Sequence, residues 1–249
     1  MSLPRPRLQT LIVEVTQRCN HACQHCYNVW HGENPASPAY PQGELDTTGM
    51  LRLLGKALDE TRCTHVTLTG GEPLLREDLP ELVDFLRQRG VRTTIISNGH
   101  LLDAARVADL IQRGVGLFEL PLLSHSAALH DQLSEAPGAW QAVVRAMTNI
   151  RRQHGQFVAA FVATRLNLEH LAETIRLAFA LGARAFMLNR FNPGGRGRQH
   201  LDMLLPSAGE LHQALQVAEA AAVEYGLPIQ CSIPIQPCLI DTTEFPHLG

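Results

Sequence analysis

Three of the six cysteines in this 249-residue chain, Cys19, Cys23 and Cys26, fall within eight positions of the stretch TQRCNHACQHCY, spaced C-x3-C-x2-C. Three chemistries are open to them. They can be buried thiols with no further role, although three on one short segment is far from a random scatter. They can bind zinc with His21 or His25 as fourth ligand, but structural zinc sites usually draw two ligand pairs from separate segments, and a single tight knuckle is atypical. Or they can hold an iron–sulfur cluster, whose usual ligands are thiolates; three thiolates on a cubane leave one iron without a protein ligand. An open metal position is what binding of a substrate or cofactor requires.

Other residues of chemical interest lie further along. Gly70-Gly71-Glu72-Pro73 joins two glycines, which let backbone approach a ligand with no Cβ between, to a carboxylate able to accept from an ammonium. Its plain alternative is a turn. Ser97-Asn98-Gly99 reads by itself as an Asn-Gly turn. Ser124 directly follows an apolar run. Arg165 is either a solvated arginine or a bidentate partner for a carboxylate. The loop 189–198, NRFNPGGRGR, is the densest in glycine and arginine; it is a flexible basic loop or a clamp for an anionic or peptide substrate. His130-Asp131 reads as a brace for a helix rather than a catalytic dyad. The loop 28–46 is long and holds Pro35, Pro38 and Pro41, which leaves a lid open as a reading.

The elements that must carry these residues alternate between short β-branched runs and longer amphipathic ones. Strands are predicted at 11–16, 65–69, 92–97, 117–123, 157–163 and 183–188, with a seventh run, 228–233, that either closes or leaves the sheet. Helices are predicted at 48–60, with Asp46 or Thr47 as cap, and at 78–89, 103–113, 139–152, 170–181 and 207–225. Six strand–helix units in a row imply an α/β fold with a parallel sheet and outer helices, either doubly wound or a complete or partial TIM-type barrel. Both architectures put chemistry at the C-terminal ends of the strands, where the residues above fall. Cys63 precedes a strand, at the opposite end, and is read as core.

Composition narrows the function further. The chain has 21 basic and 24 acidic residues, a net charge of −3, 45% hydrophobic and 18% charged residues. This is ordinary globular composition, without the charge surplus expected of a nucleic-acid or membrane-surface binder. One lysine, Lys56, leaves Schiff-base chemistry a single candidate. No apolar run reaches a membrane span, and the opening MSLPRPRLQT lacks the apolar region of a signal peptide. The expectation is a reducing cytoplasm, where clustered cysteines read as metal or redox ligands before disulfides.

With these motifs in view, TQRCNHACQHCY resembles the signature of radical S-adenosylmethionine (radical SAM) enzymes, C-x3-C-x2-C followed by an aromatic. GGEP matches the same family in residue type and in position after the second strand. The resemblance runs from about residue 8 to 198. It implies a partial (β/α)6 TIM-type barrel with parallel strands, and a 4Fe-4S cluster on Cys19, Cys23 and Cys26. It further implies S-adenosyl-L-methionine chelated to the open iron and cleaved reductively to a 5′-deoxyadenosyl radical, which abstracts hydrogen from a substrate. The cofactor contacts it implies are Tyr27 beside the adenine, Gly70, Gly71, Glu72 and Pro73 at the methionine moiety, Ser97 and Asn98 near ribose and methionine, and Ser124 near the carboxylate. The chain departs from relatives with a glycine-rich adenine motif on the fifth strand; Arg165 is the candidate contact there. Low-potential reduction implies a ferredoxin or flavodoxin-type electron donor.

The tail from Cys231 through Cys238 to Gly249 resembles the opening of the SPASM auxiliary-cluster extension. It implies a radical SAM core over 1–226 and the start of a truncated extension over 227–249, with Cys238 as a candidate ligand of an auxiliary Fe-S cluster. Only about ten residues precede the first strand, so no fused leader-binding domain is expected at the N-terminus. The favoured substrate is a ribosomal peptide or protein side chain. The alternatives are small-molecule cofactor or natural-product biosynthesis, and a non-catalytic metal-binding module.

Overall fold

The computed structural model describes residues 8–29, 43–233, 235–236 and 239–249. Its sheet has seven strands in chain order: β1 (Thr10–Thr16), β2 (His65–Gly70), β3 (Arg92–Ile96), β4 (Val115–Pro121), β5 (Phe157–Ala163), β6 (Ala185–Arg190) and β7 (Ile229–Gln230). Every neighbouring pair is parallel. A parallel neighbour requires a crossover, and helices supply them: α1 (Thr47–Thr61), α2 (Leu79–Gln88), α3 (Ala104–Arg113), α4 (Ala127–Ser134), α5 (Ala139–Arg152), α6 (Leu171–Leu181), the short α7 (Leu201–Leu204) and α8 (Ala208–Tyr225). This open α/β sheet is the expected partial barrel.

Alternation along each strand sorts its residues between two faces. Val66 and Leu68 of β2, Phe118 and Leu120 of β4, Phe157 and Phe161 of β5 and Phe186 and Leu188 of β6 are buried against the helices, in one core with Leu54, Leu82, Val107, Met147 and Ile175. Glu14, Thr67, Thr69 and Glu119 occupy the alternate positions and so the opposite face of the sheet. A second, small apolar cluster of Leu123, Leu133, Phe191 and Leu204 packs under the loops at the carboxyl ends of the strands. Cys63 is buried in the main core, as expected.

Helix starts follow from local chemistry. Asp46, the better of the two expected caps, accepts from Gly49 N at 2.7 Å and opens α1. Asp103 does the same for α3, and Ser207 with Glu210 forms a capping box on α8.

Two features differ from the sequence expectation. The seventh strand keeps only two residues of the run 228–233; it stays in the sheet, beside β6. Pro228 has no N–H to give the ladder, which removes the first residue of that run. An eight-residue helix, α4, stands where none was predicted. His130 and Asp131 lie within it: His130 Nδ1 accepts from Leu123 N, and the Asp131 carboxylate accepts from Gly138 N and Trp140 N at the start of α5. They are a brace, as their composition suggested. Most of the proline-bearing loop, 30–42, and Cys238 lie outside the described residues. Among the described residues no helix is long and apolar enough to cross a membrane.

Candidate active site

The thiol loop leaves β1 and is pinned at its root. Gly71 N donates to Thr16 O at 2.8 Å and Glu72 N to Arg18 O at 2.7 Å. The Glu44 carboxylate accepts from Thr16 Oγ1 and from Gln17 N, both at 2.7 Å. Gly70 has φ +143°, and a Cβ on Gly70 or Gly71 would collide with the carbonyl of Thr16 or Arg18. The glycine pair therefore has a role that its sequence alone did not disclose: it lets the thiol loop lie directly on the end of β2.

Glu72 ties that end to β3. It is 1% exposed. Its Oε1 accepts from Ser97 Oγ at 2.9 Å and from Leu74 N at 3.1 Å, and its Oε2 accepts from Asn98 N at 2.7 Å. Burial pushes its pKa up to about 7, against the pull of these hydrogen bonds. Asn98 continues the chain of contacts: its Nδ2 donates to Asn20 Oδ1 at 2.7 Å, inside the thiol loop. The ends of β2 and β3 and the thiol loop thus form one hydrogen-bonded unit.

Within the loop, His21 N donates to Cys19 Sγ at 3.5 Å, and Cys26 N donates to Cys23 O at 3.2 Å. Burial pushes the Cys19 thiol up to about 11 and raises those of Cys23 and Cys26, and the charges of Cys19 and Cys26 both bear on Cys23. The far side of the loop is held by Gln24 N donating to Leu133 O of α4 at 2.9 Å, and by Gly197 N donating to Cys26 O at 3.0 Å. Among the described residues, buried Gln24 Oε1, His25 Nδ1 and Arg196 Nε find no hydrogen-bond partner. Three thiols on one anchored loop, mutually coupled and bordered by unmatched polar atoms, suit a polar, sulfur-bearing group. Among the described residues no three ligating side chains gather around one point. A single ion would require that; a cubane does not, because each of its thiolates binds a different iron.

The remaining sequence candidates distribute unevenly. Tyr27 is 54% exposed at the end of the loop; burial of its phenol, with Glu14, Cys26 and Glu119 nearby, raises its pKa. Pro73 opens a single turn after Glu72 and is buried. Ser124 is fully buried, 2.9 Å from His170 Nδ1, and accepts from Ser126 N at 3.0 Å. Arg165 is turned to the connection between α7 and α8, donating to Asp202 O and Leu205 O at 2.9 and 2.8 Å, with Glu210 at 3.7 Å. These partners, Asp202, Leu205 and Glu210, lie apart in sequence and element from the Glu72 unit. Sequence reasoning missed the supporting part of α4 and the pairing of Arg196 with Glu135, at 2.6 Å; the spacing of Leu129 and Leu133 was the one local signal of that helix.

A parallel partial barrel with a thiol loop and a buried carboxylate at the carboxyl ends of its first strands defines a cofactor-dependent α/β enzyme. The profile of the Radical SAM superfamily matches residues 13–178, and the chain belongs to this superfamily of enzymes. It is 30% identical over 234 residues to the PqqA peptide cyclase of Gluconobacter oxydans (strain 621H), covering 94% of this chain and 63% of that protein. It is 30% identical over 205 residues to the AdoMet-dependent heme synthase of Oleidesulfovibrio alaskensis, covering 80% of this chain and 51% of that one. Among solved structures, Streptococcus suis SuiB bound to S-adenosylmethionine aligns with a TM-score of 0.74 at 16% identity, over 98% of this chain and 53% of that one. The anSMEcpe enzyme with bound AdoMet aligns at 0.71 and 17% identity, over 90% and 61%. At these identities the structures show the shared fold. The chain spans about half to two-thirds of the length of the proteins it matches.

Proposed function

We propose that this chain is the catalytic core of a radical SAM maturase acting on a ribosomal peptide or protein side chain, with residues 1–226 forming the core. The observation that carries the reading is the joining of three loop thiols to the buried Glu72 unit at the carboxyl ends of β1, β2 and β3. Cys19, Cys23 and Cys26 hold a 4Fe-4S cluster. Gly70, Gly71, Glu72 and Pro73 receive the methionine end of S-adenosyl-L-methionine, with Ser97 and Asn98 beside them, Tyr27 at the adenine and Ser124 toward the carboxylate. When bound, the cluster and S-adenosyl-L-methionine together supply reductive cleavage to a 5′-deoxyadenosyl radical that abstracts hydrogen from the substrate.

The chain's own residues prepare that site. Burial keeps the thiols protonated at neutral pH, so iron must displace their protons. The His21 N–H, the Asn98 side chain and Arg196 favour the thiolates. A carboxylate offers about four acceptor sites; Glu72 uses three on neutral donors, and an ammonium at the remaining Oε2 position would restore its charge.

A peptide substrate is supported by the match to PqqA peptide cyclases and by the fold likeness to SuiB bound to the precursor peptide SuiA. The match to AdoMet-dependent heme synthases favours the second reading, a small-molecule substrate. Turnover in either case calls for an external ferredoxin or flavodoxin-type donor. The test is anaerobic reconstitution with iron and sulfide, followed by dithionite and S-adenosyl-L-methionine. Formation of 5′-deoxyadenosine, lost in Cys23→Ala, is expected. A colourless zinc protein, or a cluster indifferent to S-adenosyl-L-methionine, would leave a non-catalytic metal-binding module and sink the enzyme reading.

A further inference from the structure

Beyond favouring the thiolates, Arg196 has no part in the site described above, yet the fold packs its segment against the thiol loop. The loop after β6 presses on the thiol loop through residues without side chains. A Cβ on Gly194 would lie 2.7 Å from Tyr27 O, and one on Gly195, at φ +43°, would overlap Asn28 O. Gly197 N holds Cys26 O. Between these contacts Arg196 is 20% exposed, and one arm of its guanidinium donates to Glu135 at the end of α4. Its Nε is buried and finds no hydrogen-bond partner among the described residues. Both chain neighbours of Arg196 abut Cys26: a Cβ on Gly195 would lie 2.8 Å from Cys26 O, and Gly197 N donates to the same oxygen at 3.0 Å.

We propose that Arg196 is a positioning residue for the cluster, oriented by Glu135, whose charge and unmatched Nε–H make the cluster on Cys19, Cys23 and Cys26 easier to reduce. The inference rests on the cluster assignment of the preceding section. Reduction adds negative charge, and a nearby cation with an N–H for the cluster sulfur stabilises the more negative state; net charge and hydrogen bonds to sulfur are known determinants of cluster potential. Glu135 partly cancels the cation, so the two residues have opposite effects on the same quantity. Lysine keeps the charge but not the planar fork.

The test is an anaerobic, EPR-monitored redox titration of the reconstituted full chain without S-adenosyl-L-methionine, in wild type, Arg196→Gln, Arg196→Lys and Glu135→Gln, with iron and sulfide measured in each. Arg196→Gln is expected to lower the reduced-to-oxidised ratio at fixed potential about tenfold, equivalent to about 59 mV for one electron. Glu135→Gln is expected to shift the potential upward, and Arg196→Lys to fall between wild type and glutamine. A purely structural role would lower cluster occupancy in both the Arg196 and Glu135 variants without opposite shifts. Unchanged potentials, or shifts of the same sign, overturn the proposal. If Arg196→Gln takes up no iron, Glu135→Gln and Arg196→Lys decide. A wild-type chain that binds no 4Fe-4S cluster overturns the underlying assignment, whereas a normal cluster with unmoved potentials overturns only the role of Arg196.

Discussion

Replacing Glu72 with glutamine should change the pH dependence of stability in a calculable way. In the folded chain burial holds this carboxyl at a pKa of about 7, against 4.5 for an ordinary glutamate. Between those values the folded state keeps a proton that the unfolded state has lost, so stability falls as pH rises through the window. The penalty is absent below 4.5 and complete above about 7. At about 1.4 kcal/mol per pKa unit, this interval is worth roughly 3 kcal/mol. Three histidines work in the other direction. Burial holds His21, His25 and His130 near 4, below the ordinary 6.5, so their contribution is lost as pH falls through that range. The raw stability curve is therefore mixed, but the difference between Glu72→Gln and wild type cancels the histidines. Urea unfolding of the reduced, metal-free chain from pH 4.5 to 7.5 measures that difference. The variant should gain on wild type by roughly 3 kcal/mol over the series. A difference that does not change with pH refutes the buried-acid reasoning.

Two further substitutions probe the loops around the site. Gly71→Ala puts a methyl group into the Arg18 carbonyl and should lift the thiol loop from the end of β2; bound iron after reconstitution should fall several-fold with the far-UV circular dichroism retained, and full iron loading would show that the close approach is dispensable. Asn167 is fully buried, accepts from Thr164 N and Oγ1, and donates to Leu123 O and Val162 O; Asn167→Ala should cost roughly 3 kcal/mol in urea unfolding, because it strands buried polar groups, and a cost near zero would mean that water replaces the amide.

Periodicity made most of the architecture legible before any coordinates. Phe157–Ala163 is apolar from end to end and forms a strand with the expected limits. The helix α4 escaped because eight residues with His130, Asp131 and Gln132 between Leu129 and Leu133 give too short a pattern to separate from a loop. Motif spacing led to the thiols and to Glu72, and two partners of Glu72, Ser97 and Asn98, follow directly on the end of β3. It was blind to the bond between Glu135 and Arg196, which are 61 positions apart. It also identified Arg165 by type but not by direction: position after a strand does not say whether a guanidinium turns to the site or to the carbonyls of Asp202 and Leu205.

The contact between Gly197 and Cys26 sets an order in time. Strands β1, β2 and β3 pair only with chain neighbours, so the thiol loop, Glu72 and Asn98 can assemble while the remainder is still being synthesised. The glycine-rich segment that seals the loop is made 171 residues after Cys26, counting from 26 to 197. At about 5–20 residues per second, that is an interval on the order of ten seconds or more. During it a nascent chain holds Cys19, Cys23 and Cys26 on a loop whose contacts with Leu133 and then with residues 194–197 have yet to form, and the latter close it last.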